Sequence, residues 1–371
     1  MTLRLPAPTG PHPIGTTALY LVDPSRADPW EPAIRVRELM LTVYYPARAA
    51  HGRPVARQMT PAAAAVFGQL DAVLHRLPRH GVDWAATRTH AHPGAPARER
   101  PAPVLLYSPG GGDPRTLGTG PAEELASHGA VVVTVDHPGD ASEVEFPVTR
   151  AGRPGRVRTT EFRYDPRTDP PLFRTAIETR IADLRFVVDQ LALLAAGENP
   201  DAAGRALPAG LERALDLRRL GAYGHSAGGT AVAEALYEDP RIGAAVNLEG
   251  FLDWPAPAPG RAGALLPVAR HGVDRPLLLL GSAGFAGKPE LARSWSAVRA
   301  RSGDRVHRAE IARGAHWVFT DYAALAPQLQ SAGLMGAADR RALVGAIAPA
   351  VSVPLVRARL RSFFARHLPR R

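Results

Sequence analysis

Cysteine is missing from this chain altogether. Disulfides, thiolate metal centres and a cysteine nucleophile are therefore excluded. Lysine is nearly missing too. Of 45 lysine and arginine residues only Lys288 is lysine, so arginine carries the net charge of +10. The arginines are scattered, with no long basic run, and aromatics are only 6% of the chain. No nucleic-acid partner is expected from such a pattern. Long apolar stretches are lacking as well. A membrane-crossing helix needs roughly 18 apolar residues or more, and the best candidate, 342–360, is interrupted by Pro349 and Pro354. It reads as two core or surface helices, which leaves at most peripheral lipid contact. Residues 1–15 hold Pro6, Pro8, Pro11 and Pro13 and no continuous apolar core. As written they are not a signal peptide, so a cytoplasmic location is expected, or secretion if a leader was trimmed.

Cofactor signals are equally scarce. There is no Gly-x-Gly-x-x-Gly, and no glycine-rich loop is followed by Lys-Ser or Lys-Thr, so a nucleotide cofactor is not expected. His90 and His92 form a pair without a third ligand nearby, in a Pro/Arg-rich loop or edge strand, and no metal is assigned to them.

What is present is a run of short buried strands alternating with helices. Thr16–Val22 and Glu38–Tyr45 read as two strands able to pair antiparallel. Pro103–Tyr107, Val131–Val135, Ala244–Leu248 and Pro276–Leu280 are short continuous apolar runs, the signature of parallel strands covered on both faces. Val306–Ile311 reads as the last strand. Helices are expected at Pro61–Leu77, Pro121–His128 with its proline at the first position, Pro289–Arg301 and Val353–His367. The clearest helical period spans Arg174–Ala196, where Ile177, Ile181, Leu184, Val187, Val188, Leu191 and Leu194 share a face. No internal repeat or compositional break divides the chain. It reads as one α/β domain over 1–371, with a mostly parallel central sheet, antiparallel N-terminal strands, and lid-like insertions at about 48–101, 138–170 and 254–275. Phe146, Phe162 and Trp254 in those insertions either line an apolar pocket or pack the insertions. The arginines of 150–167 read as solvated in preference to binding an anionic group.

One hexapeptide carries the chemistry: Gly224-His225-Ser226-Ala227-Gly228-Gly229. It lies between the apolar run Leu220–Tyr223 and the Ala-rich run Thr230–Tyr237. Strand, tight turn and helix around Gly-x-Ser-x-Gly form a nucleophile elbow, which exposes the serine hydroxyl beside a helix N-terminus. The plainer reading of Ser226 is a helix N-cap. The strand before and the helix after favour a nucleophile.

A serine hydroxyl needs a base, and the base needs an orienting acid. On the α/β-hydrolase fold their chain order is serine, acid, histidine. Of the later histidines, His271 precedes a strand, His307 sits inside one, and His367 lies among arginines in the last helix. His316 follows the last strand in a short loop, where a base can reach the sheet top. The acid is less sharply marked. No carboxylate follows Leu280 until Glu290, whereas Glu249 ends the strand Ala244–Leu248 and Asp253 comes four residues later. Glu249 ranks first, Asp253 second and Asp274 third. Oxyanion donors are expected at Ala227, directly after the nucleophile, and in the loop Tyr107-Ser108-Pro109-Gly110-Gly111-Gly112.

These segments together resemble the plasma-type platelet-activating-factor acetylhydrolase family and its bacterial members, within the α/β-hydrolase superfamily. The resemblance spans nearly the whole chain. It runs through Leu5–Thr17, Thr42–Pro46, Tyr107–Gly112 with Arg115 and Thr116, Val135–His137, the hexapeptide, Glu249 and Ala315-His316. It implies hydrolysis of short or oxidised acyl esters on phospholipids without a metal or other cofactor. It further implies Ser226, Glu249 and His316 as the triad, with Gly111 and Ala227 as oxyanion donors. The family's acid is commonly aspartate, which keeps Asp253 as the alternative. Other readings are a broad carboxylesterase, polyester hydrolase or thioesterase and, more remotely, a hydrolase-fold binding protein without activity.

Overall fold

The computed structural model describes residues 1–162, 164–258, 260–285 and 287–369, leaving aside the side chains of Ala72, Val73 and Phe285. Its strands in chain order are β1 (Ile14–Asp23), β2 (Arg37–Pro46), β3 (Ala91–Pro93), β4 (Ala102–Ser108), β5 (Val131–Asp136), β6 (Glu143–Glu145), β7 (Val157–Thr159), β8 (Leu215–His225), β9 (Ile242–Leu248), β10 (Leu277–Ser282) and β11 (Val306–Ile311). Nine of them form one sheet in the order β11-β10-β9-β8-β4-β5-β2-β1-β3, and β6 pairs with β7 in a separate hairpin. The six strands from β5 to β11 are parallel to one another. At one end β2 turns antiparallel to β5, and β1 pairs antiparallel with β2 from Ile14↔Pro46 to Asp23↔Arg37.

The helices are α1 (Pro61–Leu74), α2 (Thr119–Ser127), α3 (Pro170–Ala195), α4 (Leu211–Ala214), α5 (Ala227–Glu238), α6 (Pro267–His271), α7 (Pro289–Ser302), α8 (Tyr322–Ser331), α9 (Ala337–Val344) and α10 (Pro349–His367). Residues of α3, α4, α5, α6 and α7 pack on one face of the sheet through Ile177, Leu184, Ala231, Val232, Val268 and Trp295. Those of α2 and α10 cover the other through Leu125, Ala126, Leu360 and Phe364. With both faces covered, the central strands have no solvent side. Val104–Leu106, Val131–Val133 and Leu277–Leu280 are buried at every position, which is why they read as continuous apolar runs.

Some boundaries differ from those expected. Helix α2 starts at Thr119, so Pro121 is its third residue; the first turn has spare N–H groups, so the ring is tolerated there too. Helix α1 stops at Leu74 and α10 begins at Pro349, with Pro354 inside it. Helix α8 had no counterpart in the sequence reading, while the end of α9 and the start of α10 are the two helices expected within 342–360. The segment 138–170 folds down by its arginines instead of exposing them all. Arg153 and Arg158 are buried and pair with Glu38 and Asp28. Phe146 packs into a cluster with Tyr20 and Met40, and Phe162 lies edge-on to Trp30. Trp254 packs edge-on to Phe173 of α3. No described helix is long and apolar enough to cross a membrane.

Candidate active site

Parallel strands leave their C-terminal ends at one rim, and three of those ends carry the site. Strand β8 runs into α5 through Ser226 alone, at φ 53° and ψ −119°. That left-handed backbone is uncommon for a residue with a side chain and costs on the order of 1–3 kcal/mol. Two bonds hold it: the Ser226 N–H donates to Leu248 O at 2.9 Å, and the Thr230 N–H returns to Ser226 O at 3.0 Å. The hydroxyl makes no capping bond to α5, so the plainer reading of this serine fails. Gly228 is required at its position, because a Cβ there would collide with the carbonyls of Ser108 and Pro109. Bare backbone lets the first turn of α5 press against the loop after β4.

Glu249 ends β9 and is also left-handed, at φ 64°. It is fully buried and points at His316. His316 Nδ1 stands 2.7 Å from Glu249 Oε2. A carboxylate can only accept, so Nδ1 carries the proton and Nε2 is the basic nitrogen. The Ser282 N–H donates to Glu249 Oε1, and the Ser282 hydroxyl donates to Oε2 at 3.1 Å. Burial raises the Glu249 carboxyl, and the Ser282 N–H and hydroxyl, both donating to it, pull against this, so the group that meets His316 Nδ1 is the carboxylate. Burial, helped by neighbouring His225, holds His316 well below the ordinary histidine range. The resting imidazole is therefore neutral, as a general base must be.

The other candidate acids lie elsewhere. Asp253 is buried between Arg167 and Arg293, at 3.3 and 2.6 Å. The side chain of Asp274 is 88% exposed and pairs with Arg275. His271 closes α6 and stacks on Tyr237, His307 is exposed on β11, and His367 packs on Phe363. His90 Nδ1 faces Glu123 while His92 Nδ1 faces backbone carbonyls of Arg53 and Pro54, so the pair does not converge.

The loop after β4 brings Gly111 to the Ser226 turn. A Cβ built on Gly111 would lie 3.6 Å from the Cβ of Ala227. Arg180 of α3 anchors this loop from below. Its buried guanidinium donates to Pro109 O at 2.6 Å, Gly110 O at 2.8 Å and the Ser108 hydroxyl at 3.2 Å. It also binds both oxygens of Asp140, and Asp140 Oδ1 in turn accepts the Gly112 N–H at 2.9 Å. The bed continues through His137, whose Nε2 lies 2.9 Å from Ser108 Oγ and whose Nδ1 lies 3.0 Å from Asp183. Burial and the Arg180 charge lower His137 to about 4, so it is neutral. Asp183 is doubly held by Arg37.

A second buried bed lies under His316. His225 Nε2 is 2.8 Å from the His316 carbonyl, and the two rings stand 4.5 Å apart. Asp113, at the end of the loop after β4, comes within 3.6 Å of His225 Nδ1 and 3.2 Å of His75 Nε2. His75 and Asp71 both belong to the segment 48–101, and they meet at 3.1 Å. Among the described residues, Asp71, His75 and Asp113 are the group whose ligand-type atoms cluster within 4.8 Å. The imidazole already bridges both carboxylates. Burial opposes its charge, but hydrogen bonds to Asp113 and Asp71 push His75 up to about 10.

Sequence reasoning missed Asp71, His75, Asp113, Arg180 and Ser282. One of them left a trace: Arg180 falls on the apolar face of α3, between Ile177 and Ile181.

The family model described as platelet-activating factor acetylhydrolase, isoform II, matches residues 2–339. A protein of Arthroderma benhamiae named as a probable 1-alkyl-2-acetylglycerophosphocholine esterase is 26% identical over 378 residues, covering 97% of this chain and 87% of that protein. The solved structure of a ferulic acid esterase from Streptomyces cinnamoneus superposes with a TM-score of 0.73 at 31% identity, covering 99% of this chain and 93% of that one. The chain thus belongs to the platelet-activating factor acetylhydrolase isoform II family, on the α/β-hydrolase fold, and is an ester hydrolase.

Proposed function

We propose that Ser226, His316 and Glu249 form the catalytic triad, and that the substrate is a carboxylic ester with a short or oxidised acyl group. The observation that carries the reading is the 2.7 Å bond from His316 Nδ1 to Glu249, beside a serine whose hydroxyl does not cap its own helix. His316 Nε2 takes the Ser226 proton as Oγ attacks the ester carbonyl. The N–H groups of Ala227 and Gly111 receive the negative oxygen, aided by the N-terminus of α5. Nε2–H then protonates the leaving alcohol as the ester C–O bond breaks. Water, deprotonated by His316, cleaves the acyl-enzyme and releases the acid. Glu249 holds the imidazole in the right tautomer and stabilises its cation.

Two relatives suggest different alcohols and acids: a glycerophospholipid acetyl ester for the fungal protein and a feruloyl ester for the Streptomyces structure. The acetyl ester is the proposed class, and the greater identity to the ferulic acid esterase favours a broad carboxylesterase as the second reading. The test is a fluorophosphonate probe with and without Ser226→Ala, followed by rates on 1-alkyl-2-acetylglycerophosphocholine, methyl ferulate and a nitrophenyl ester series. Labelling of wild type, none of Ser226→Ala, and fastest turnover of acetyl esters are expected. Undiminished labelling of Ser226→Ala would overturn the nucleophile. Preference for the feruloyl ester would overturn the substrate class.

A further inference from the structure

The bed under His316 contains more polar chemistry than a hydrolase triad calls for. Its geometry forms one line. Asp71 and Asp113 flank His75 Nε2 at 3.1 and 3.2 Å. Asp113 then faces His225 Nδ1 at 3.6 Å, and His225 Nε2 meets the main-chain carbonyl of His316 at 2.8 Å. All four side chains are buried. A carbonyl only accepts, so Nε2 of His225 carries the proton and donates it. That bond fixes the backbone from which the His316 ring hangs. Trp317 closes the other side, 4.7 Å from the His75 ring and 4.8 Å from the His316 ring. The loop is also held from behind, where the Ala346 N–H donates to Arg313 O at 2.8 Å.

The line joins four separate pieces of chain. Asp71 and His75 come from α1 and its C-terminal end, Asp113 from the loop that carries Gly111, and His225 from the residue before the nucleophile. An insertion helix is therefore wired to the oxyanion loop, the nucleophile turn and the base loop at once. Misplacing a base by about 1 Å costs about a hundredfold in rate, so a brace of this kind has catalytic consequences without touching substrate.

We propose that Asp71, His75, Asp113 and His225 are positioning residues, a buried brace that sets the orientation of His316 from helix α1. This rests on the reading of His316 as the base. The brace acts on the step in which protons move and leaves substrate binding alone, so its signature is a fall in kcat at constant KM.

The experiment uses the full chain, nitrophenyl acetate and the rate of fluorophosphonate labelling, with circular dichroism to establish folding. His225→Leu removes the donor and is expected to lower kcat about 30- to 100-fold with KM changed less than about twofold. His225→Gln restores an N–H donor and is expected to recover most of that loss. His75→Phe, at the far end, is expected to lower kcat about tenfold with the same signature. The double variant should lose no more than His225→Leu alone, because both act through one line. A folded His225→Leu with unchanged kcat, a glutamine no better than leucine, or additive losses in the double variant would overturn the brace. Should His225→Leu not fold, His75→Phe decides alone: a fall in kcat at constant KM sustains the brace, and unchanged kcat or a change confined to KM sinks it. His316→Ala separates the two readings. If it abolishes turnover while His225→Leu is normal, only the brace fails; if it leaves turnover intact, the base assignment fails first.

Discussion

The two halves of the rim rest on buried polar beds of opposite kind. Under the oxyanion loop, buried charges are matched by arginine: Arg180 with Asp140, Arg37 with Asp183 and Asp28, Arg158 with Asp28. Under His316, the buried carboxylates Asp71 and Asp113 flank the His75 imidazole, the Ser142 hydroxyl joins Asp71 to buried Glu143, and among the described residues no arginine ion pair reaches these three. Arginine stays charged at any ordinary pH, so the first bed is indifferent to protons above the carboxylate range. The second depends on them. Burial raises Asp71, and burial with Asp71 nearby raises Glu143 well above its ordinary value. The His225 and His75 imidazoles beside it outweigh burial and hold Asp113 well below the usual carboxylate range. The half that only presents backbone N–H groups is thus built to be rigid, and the half that carries a proton is built from groups that titrate.

The comparison breaks most violently where the two beds meet, at the proposed triad. Glu249→Gln keeps the shape and removes the charge facing Nδ1. If the proposed roles hold, kcat on nitrophenyl acetate falls about 10⁴-fold, by analogy with loss of the buried acid in serine proteases, while Ser226 still accepts a fluorophosphonate slowly. Residual activity within tenfold of wild type would remove Glu249 from the triad.

The arginine bed is tested next. Arg180→Met leaves Asp140 buried without its cation and releases the Pro109 and Gly110 carbonyls. Breaking a buried pair from one side costs about 3–5 kcal/mol, and a displaced oxyanion donor costs about 10²–10³ in kcat. Arg180→Lys keeps the charge and loses the fork, so it should recover stability more than rate. Thermal unfolding and kcat measured together check this; a lysine variant with full kcat would show that the charge alone positions the loop.

The acid-rich bed makes a prediction about pH. His75 is raised from 6.5 to about 10. A group whose pKa rises on folding contributes stability that is complete below its unfolded pKa and lost as pH climbs through the folded one. The window is therefore pH 6.5 to about 10. Wild type should lose Tm across it, and His75→Gln should lose less, by an amount equivalent to a few kcal/mol at most. Parallel Tm curves for the two proteins would mean that His75 is not charged in the folded state.

How much of this was legible beforehand differs between the beds for a physical reason. The strand-turn-helix at Ser226, the loop at His316 after the last strand and the strand end at Glu249 rest on local pattern, so their places in the fold could be read directly. The beds are built from residues far apart in sequence. Asp113 and His225 are separated by 112 positions, and Arg37 and Asp183 by 146. Composition alone cannot tell a solvated arginine from one such as Arg158, whose partner Asp28 lies 130 residues away. Arg180 is the instructive exception. A charged residue on the apolar face of α3, between Ile177 and Ile181, has to find a buried partner, and that periodicity names it as structural without naming what it holds. Strand β3 was only one of two readings, a loop or an edge strand around His90 and His92, because three residues pairing parallel to β1 carry no period.

The smallest effect on rate is expected at Asp253, the runner-up for the acid. It sits four residues beyond Glu249 and is as deeply buried, yet it faces Arg167 and Arg293 instead of His316. Asp253→Asn removes the charge that holds two arginines together and keeps an amide to bond them. Both arginines are partly solvated, with side chains 21% and 37% exposed, so they rehydrate and the cost stays below that of a closed pair, about 1–3 kcal/mol. Tm should drop while kcat stays within about threefold of wild type. The difference from Glu249→Gln is the point: two buried carboxylates at one strand end, equal in burial, separate by three orders of magnitude or so in rate because one faces an imidazole and the other a guanidinium pair. If Asp253→Asn instead loses kcat on the scale expected of Glu249→Gln, the bond at His316 Nδ1 does not identify the acid.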